Sequence, residues 1–501
     1  MPKPNFNILK RIEWQTLFVQ TIQRMGQTSS KTPVNNLFAN CDTQISDGLK
    51  QKIKEIDKRK NFIPVLREHT PSIKANDLEA EIKRAGETSK AAFAPEPTCI
   101  DYSIFAPGES CCWGGNETIL NFKGSIYENV KDLNACLGSL YGMFIGDSWG
   151  HCLEFVPVQY ETRIIRALDE TNFKAPGVLN RFRLKAGQYT DDSSMGLCLA
   201  DNLLTHGHVD CLDLRKRFVM WWYLGYNNAF RYDTKNREDK TWYGRSVGLG
   251  GQISYSLKAF IENPKQLYPS GEENMSGNGS IMRLCPLPIF YRDSDIEFLV
   301  SEATKQSFTT HSGIQSAECA ALLSFVIVAA IKSDLQSGKE FLDNLDMKPV
   351  LMYLITDAVK CIANSTQNEN WKEDNYNKVA EDQYWNWKDE NYKYSPTRSA
   401  INPGYVGGYA CDNIAMALHC VYYSDNFEEA VLRCINRCGD ADTVGSVTGQ
   451  IAGALYGLTS IPKSALECVV KWDPHAEIPL RVFKMFKIDE AYIEGLKPTS
   501  D

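Results

Sequence analysis

Two short acidic segments far apart in the chain carry the residue types that could hold divalent cations. Thr190-Asp191-Asp192 and Asp440-Ala441-Asp442-Thr443 each set paired carboxylates beside a hydroxyl. Hard oxygen donors of this kind suit Mg²⁺, Mn²⁺ or Ca²⁺ rather than zinc. Each segment runs into a helical pattern, Met195, Leu199, Leu203 and Leu204 after the first and Val444, Val447, Ile451, Ala454 and Leu455 after the second. At a helix start, Asp, Ser and Thr also cap exposed backbone N–H groups and suit the positive end of the dipole. One segment alone is therefore explained more simply as a capped helix start. If the two starts meet, four Asp carboxylates and two Thr hydroxyls converge, and without cations they would repel and resist desolvation. With Asp442 as a bridge, two ions roughly 3.5 to 4 Å apart would fit such a site.

The elements that must bring these segments together are helices. Apolar residues recur at three and four positions in Leu133 to Phe144, Met195 to Leu204, Glu318 to Ile331, Met347 to Ile362 and Asp412 to Tyr423, while strand-like alternation is scarce. An all-α domain larger than a four-helix bundle is the expected fold. Gly445, Gly449, Gly453 and Gly457 repeat every fourth residue, and each costs a helix about 1 kcal/mol against Ala. That cost calls for a helix packed very closely on this face, and the helix after Asp192 is the neighbour that would join the two acidic segments.

The 501 residues are 43% hydrophobic and 23% charged, ordinary for a globular chain. A net charge of -8 argues against an electrostatic grip on nucleic acid, so an anionic ligand must be held locally. None of the 16 cysteines forms a CxxC pair, and reduced thiols are expected. The apolar run Cys319 to Ile331 is too short to span a bilayer, and no membrane role is expected. No secretory signal is legible, which suggests the cytoplasm, with the basic stretch Met1 to Gly26 leaving a mitochondrial presequence as the lesser alternative.

Residues 1–124 are polar and irregular, with charged helical runs at Leu49 to Lys60 and Asn76 to Ala92 and a Pro- and Gly-containing linker at Ala94 to Gly115. They read as an appended, partly helical extension to a domain at residues 125–501. Asn368 to Ser395, within an insertion at about 366–400, is polar and aromatic and reads as a surface excursion, more simply a solvated loop than a functional one. The extension and the insertion are the candidate surfaces for a protein partner.

Five segments together resemble the ADP-ribosylglycohydrolase family, which includes the dinitrogenase reductase-activating glycohydrolase. Gly138 to Gly150 is similar to the family's opening helix and GDxxG turn, with Glu154 at its acidic position, and Gly187 to Asp192 resembles its GQxTDD motif. Gly277-Asn278-Gly279-Ser280-Ile281-Met282-Arg283 resembles the GNGxxMR loop, Thr310-His311 the TH segment, and Gly439 to Thr443 the GDADT motif. Residues 134 to about 465 are spanned in order. Ser193 stands where many members have Thr, and neither the extension nor the insertion has a counterpart.

The resemblance implies an all-α fold with two Mg²⁺ (or Mn²⁺) ions at the base of an ADP-ribose cleft. Thr190, Asp191, Asp192, Asp440, Asp442 and Thr443 would be ligands, and Gly277, Asn278, Gly279 and Ser280 would place backbone N–H groups near the diphosphate. His311 would contact the ligand, and Gly408 and Tyr409, in the Gly404 to Tyr409 segment, would line the adenosine-ribose end. The expected partner is an ADP-ribosylated protein or an ADP-ribose small molecule. Asp191, Asp192 or Glu154 could act as base on the attacking water, Glu154 being preferred because it is not needed as a primary ligand. Arg283 could pair with an acid, and Asp147 could cap a helix or hold the Glu154 loop. Two other classes stay open: an inactive binding or structural subunit of a larger assembly, and a divalent-metal hydrolase of another nucleotide-linked substrate.

Overall fold

The computed structural model describes residues 114–230, 232–233, 246–262, 275–366 and 384–488. The extension's helical runs and residues 367–383 of the insertion lie outside the described residues. Within them the chain is all helical, with 17 helices and no strands. The helices that build the site and the core beneath it are α1 (Leu133–Gly150), α2 (Asp191–His206), α3 (Gly251–Glu262), α4 (Ile296–Ser307), α5 (Ile314–Ile331), α6 (Ala410–Tyr422) and α7 (Ala441–Tyr456).

Helix α7 is buried along its whole length, its polar Ser446 and Gln450 donating to the Met282 carbonyl. Its glycine face is met by α1 rather than by α2. A Cβ on Gly142 would lie 2.0 Å from the Gly449 carbonyl, one on Gly146 would lie 2.0 Å from that of Gly445, and one on Gly453 would lie 2.0 Å from that of Gly138. Seven backbone positions therefore touch directly, because α1 carries Gly138, Gly142, Gly146 and Gly150 at the same four-residue spacing as α7. The join to α2 is made instead at the far end of α1, by Asp147.

Three expectations change. Met347 to Ile362 is not one helix: it breaks between Lys348–Leu351 and Asp357–Asn364. There the backbone N–H groups of Ile355 and Thr356 turn to the buried carboxylate of Glu318 on α5, which outcompetes helical pairing. The apolar helix at Cys319 begins earlier, at Ile314, and its 18 residues are long and apolar enough to cross a membrane, yet 83% of it is buried among its neighbours as a core helix. The described half of the insertion is not a solvated loop either. Trp385, Trp387, Tyr392 and Tyr394 are all at most 3% exposed, and Trp387 Nε1 donates to the Ile362 carbonyl at 2.7 Å. Aromatic area removed from water there outweighs the polar residues between the rings.

Candidate metal and substrate site

The first turn of α2 is capped from another helix. Thr190, at its N-cap, makes no side-chain capping bond of its own. Asp147, near the end of α1, accepts hydrogen bonds from Thr190 N at 2.9 Å, Thr190 Oγ1 at 2.8 Å, Ser193 N at 3.0 Å and Ser193 Oγ at 2.7 Å. Asp191 and Asp192 are thereby relieved of capping. Asp440 at the N-cap of α7 makes no side-chain capping bond either. So the simpler account of both acidic pairs, ordinary helix caps, does not describe them.

The carboxylates gather in one buried nest. Glu154, Asp440 and Asp442 each offer an oxygen within 4.8 Å of the others, a grouping that could hold a metal ion. Asp191 is 6% exposed, Asp192 fully buried and Thr443 5% exposed. Glu154 Oε2 and Asp192 Oδ1 are buried with no hydrogen-bond partner, an expensive arrangement for carboxylates unless something else meets them. Burial, then the charges of Asp440 and Asp191, push the Glu154 carboxyl well above its ordinary range. Burial, then Asp147, Asp191 and Asp440, do the same to Asp192, and burial with Glu154 and Asp192 does so to Asp442. Mutual repulsion on this scale is what a bound cation would relieve. Glu154 thus lies against two of the candidate ligands, Asp440 and Asp442.

The glycine loop and the Tyr409 segment form the adjoining wall. Asn278 N donates to the Gly408 carbonyl at 3.0 Å, Ala410 N donates to that of Ser276 at 3.0 Å, and Asn278 Nδ2 donates to Asp440 Oδ2 at 2.7 Å. Asn278 therefore orients a candidate ligand. Its backbone N–H is taken within the protein, as is that of Gly277, which donates to Gln252 Oε1 at 3.1 Å. Ser280 is fully buried, its Oγ accepting from Ser307 Oγ at 2.8 Å. His311 is buried beneath the loop, so close that a Cβ on Gly279 would lie 2.9 Å from its ring. Its Nδ1 pairs with Thr310 Oγ1 at 2.8 Å. Tyr409 is half-buried and donates its hydroxyl to Gln315 Oε1 at 2.6 Å. Arg283 pairs with no acid among the described residues: its guanidinium lies over Phe218 at 4.4 Å and donates to Thr310 Oγ1 at 2.9 Å, fixing the Thr310-His311 segment from below.

One wall escaped the sequence reading. Gly248 has φ +92, and a Cβ there would lie 2.1 Å from Asp191 Oδ1, so only glycine lets this backbone reach the carboxylate. Gly250 and Gly251, at the start of α3, are exposed with open space where their side chains would be. The run Gly248-Leu249-Gly250-Gly251 before a helical pattern was the available signal.

Residues 128–490 match the family model described as ADP-ribosylglycohydrolase, and the chain belongs to that family. It is 30% identical to an ADP-ribosylarginine hydrolase Tri1 of Pseudomonas putida, over 77% of this chain and 89% of that protein. It is 28% identical to the Tri1 of Serratia proteamaculans, over 73% of this chain and 83% of that one. With the ADP-ribosyl-[dinitrogen reductase] glycohydrolase of Rhodospirillum rubrum the identity is 24%, over 66% and 88%. Among solved structures, an ADP-ribosylglycohydrolase-related protein complex shares the fold, with a TM-score of 0.50 and 24% identity over 71% of this chain and 99% of that one.

Proposed function

We propose that this chain hydrolyses the glycosidic bond joining ADP-ribose to a protein side chain, using two divalent cations, Mg²⁺ or Mn²⁺, held by Asp191, Asp192, Asp440 and Asp442 with Thr190 and Thr443. The observation that carries this reading is the group Glu154, Asp440 and Asp442, half-buried to buried, with one oxygen of each within 4.8 Å of the others and with Glu154 Oε2 left without a partner. Such cations, when bound, would supply Lewis acidity and lower the pKa of a water. The protein's own carboxylates would stabilise the oxocarbenium-like charge that develops at the anomeric carbon. Glu154, raised toward its neutral form, suits proton exchange with the attacking water or the leaving group. The water oxygen would bond to the anomeric carbon, the bond to the acceptor would break, and the acceptor would leave with a proton. The open glycine start of α3, next to Asp191, is suited to receive the anionic diphosphate at the positive end of the helix.

Two of the relatives are named for ADP-ribosylarginine and one for dinitrogen reductase, so protein-linked ADP-ribose is the substrate to try first. Purified chain with Mg²⁺ should release free ADP-ribose, and EDTA should stop it. Glu154→Gln should lower kcat by about 10² to 10⁴-fold. Full turnover by that variant would remove Glu154 from the chemistry, and no release from any acceptor would sink the hydrolase reading.

A further inference from the structure

Both ring nitrogens of His311 are governed by one short segment, Gly277 to Arg283. Its glycines face one edge of the ring: a Cβ on Gly277 would lie 3.5 Å from Nε2, and one on Gly279 would lie 3.1 Å from it. Its last residue, Arg283, reaches the other edge through Thr310. Arg283 Nη2 donates to Thr310 Oγ1 at 2.9 Å, and Thr310 Oγ1 stands 2.8 Å from His311 Nδ1. The guanidinium is itself anchored, its Nε donating to Gln306 Oε1 and its Nη2 to the Gln306 carbonyl, both at 3.2 Å.

These bonds decide where the imidazole proton sits. A guanidinium only donates, so Thr310 Oγ1 accepts from it and keeps one proton to give. Among the described residues His311 Nδ1 is the acceptor within reach of that proton. Were Nδ1 protonated instead, the buried hydroxyl proton would be left without an acceptor, a costly arrangement. Burial, and then the charge of Arg283, push the His311 pKa well below its ordinary value, so the ring is neutral. Its single proton is then on Nε2, at the glycine edge, where it has no hydrogen-bond partner among the described residues.

We infer that Arg283, acting through the Thr310 hydroxyl, locks His311 as the neutral Nε2–H tautomer, a fixed donor at the Gly277 to Gly279 turn for an oxygen of bound ADP-ribose. The inference rests on the hydrolase reading for its ligand and adds the proton that meets it and the residues that fix that proton. A side-chain donor is needed at this turn because the backbone N–H groups of Gly277 and Asn278 are already taken by Gln252 and Gly408. Arg283 and Thr310 are positioning residues, since they act through His311.

The tautomer is read directly by long-range proton–nitrogen spectra of the full chain labelled with ¹⁵N-histidine, His311 being assigned by the signal lost in His311→Gln. In the unliganded parent chain Nδ1 should be bare and Nε2 protonated, and a protonated Nδ1 would overturn the proposal. Thr310→Val removes the hydroxyl while Arg283 Nη2 keeps the Gln306 carbonyl. It should populate both tautomers and weaken ADP-ribose binding about tenfold, measured by calorimetry with Mg²⁺. Thr310→Ser should restore both readouts, and Arg283→Met should mix the tautomers with Thr310 in place. A Thr310→Val protein of unchanged circular dichroism that keeps the parent tautomer and affinity would overturn the lock. Binding of ADP-ribose that leaves the Nε2 proton resonance unmoved would overturn the donor role. If the parent chain neither binds nor releases ADP-ribose, the hydrolase reading fails instead, and the spectra of the unliganded chain still judge the lock.

Discussion

Asp147 and Asn278 hold the acidic nest together without belonging to either acidic segment. Asp147 takes four donors from the first turn of α2, and Asn278 takes one oxygen of Asp440, so each candidate ligand helix is oriented from outside itself. The carboxylates they position are held above their ordinary pKa, first by burial and then by one another. For such groups the neutral form is favoured in the folded chain. In the absence of cations, their contribution to stability is present below the unfolded carboxyl range and is lost as pH rises through the raised values. Divalent cations bind the charged forms and so should restore what is lost. The gain in Tm on adding Mg²⁺ should therefore grow as pH is raised from 6 to 8 and shrink toward pH 5, measured by thermal scans with Mg²⁺ and with EDTA. A gain independent of pH would mean that the cation does not meet these carboxylates. The acidic pairs were legible because paired Asp with Thr is a rare local pattern. A capping role for Asp147 was legible too, but not which helix it caps, and the bond from Asn278 to Asp440 was not, since these contacts cross gaps of 43 and 162 residues.

The close approach of α1 and α7 is an element-scale device that fixes where both ends of the site can lie. Glycine faces four residues apart on each helix let carbonyls meet where Cβ atoms would stand, so the two helices cannot slide without losing the fit. Gly449→Ala would put a Cβ 2.0 Å from the Gly142 carbonyl, with rigid backbone as the neighbour. A loss of roughly 3 kcal/mol or more is expected despite Ala's better helix propensity, because overpacking costs typically 1 to 3 kcal/mol even where side chains can yield. Gly251→Ala is the control: nothing lies within 4 Å of the added methyl, so stability should hold or rise slightly. Chemical denaturation of both variants reads the difference, and equal stabilities would deny the close contact. Every fourth residue being glycine announced a tight neighbour, but the periodicity of one helix does not name its partner. α1 carries the matching spacing, while α2, chosen for its aspartates, has only Gly196. The break at 352–356 was equally hidden, since the apolar spacing runs on through it and only the distant Glu318 interrupts the hydrogen bonding.

At the scale of the whole molecule, the described part of the insertion, residues 384–400, changes from a surface excursion to part of the core. Trp387 stands 1% exposed against the Tyr422 ring at 5.8 Å, and its carbonyl pairs with His419 Nδ1 at 2.9 Å, both partners lying on α6. Helix α6 begins at Ala410, directly after Tyr409, so the described part of the insertion packs on the helix that leads away from the site wall. The composition of Asn368 to Ser395 concealed this, because its Asn, Lys, Asp and Glu residues dominate any average while the buried rings are spaced irregularly between them. Trp387→Ala removes a fully packed ring and leaves the Ile362 carbonyl without its donor, changes that together cost about 3 to 5 kcal/mol. A solvated loop would lose no more than about 0.5 kcal/mol. Because Trp387 belongs to the same hydrophobic core as α1 and α7, the loss should show as a lower midpoint for one cooperative transition, recorded alike by tryptophan fluorescence and far-ultraviolet circular dichroism. A separate early transition, with the helical signal intact and the midpoint of the main one unmoved, would return the insertion to the status of an independent surface segment.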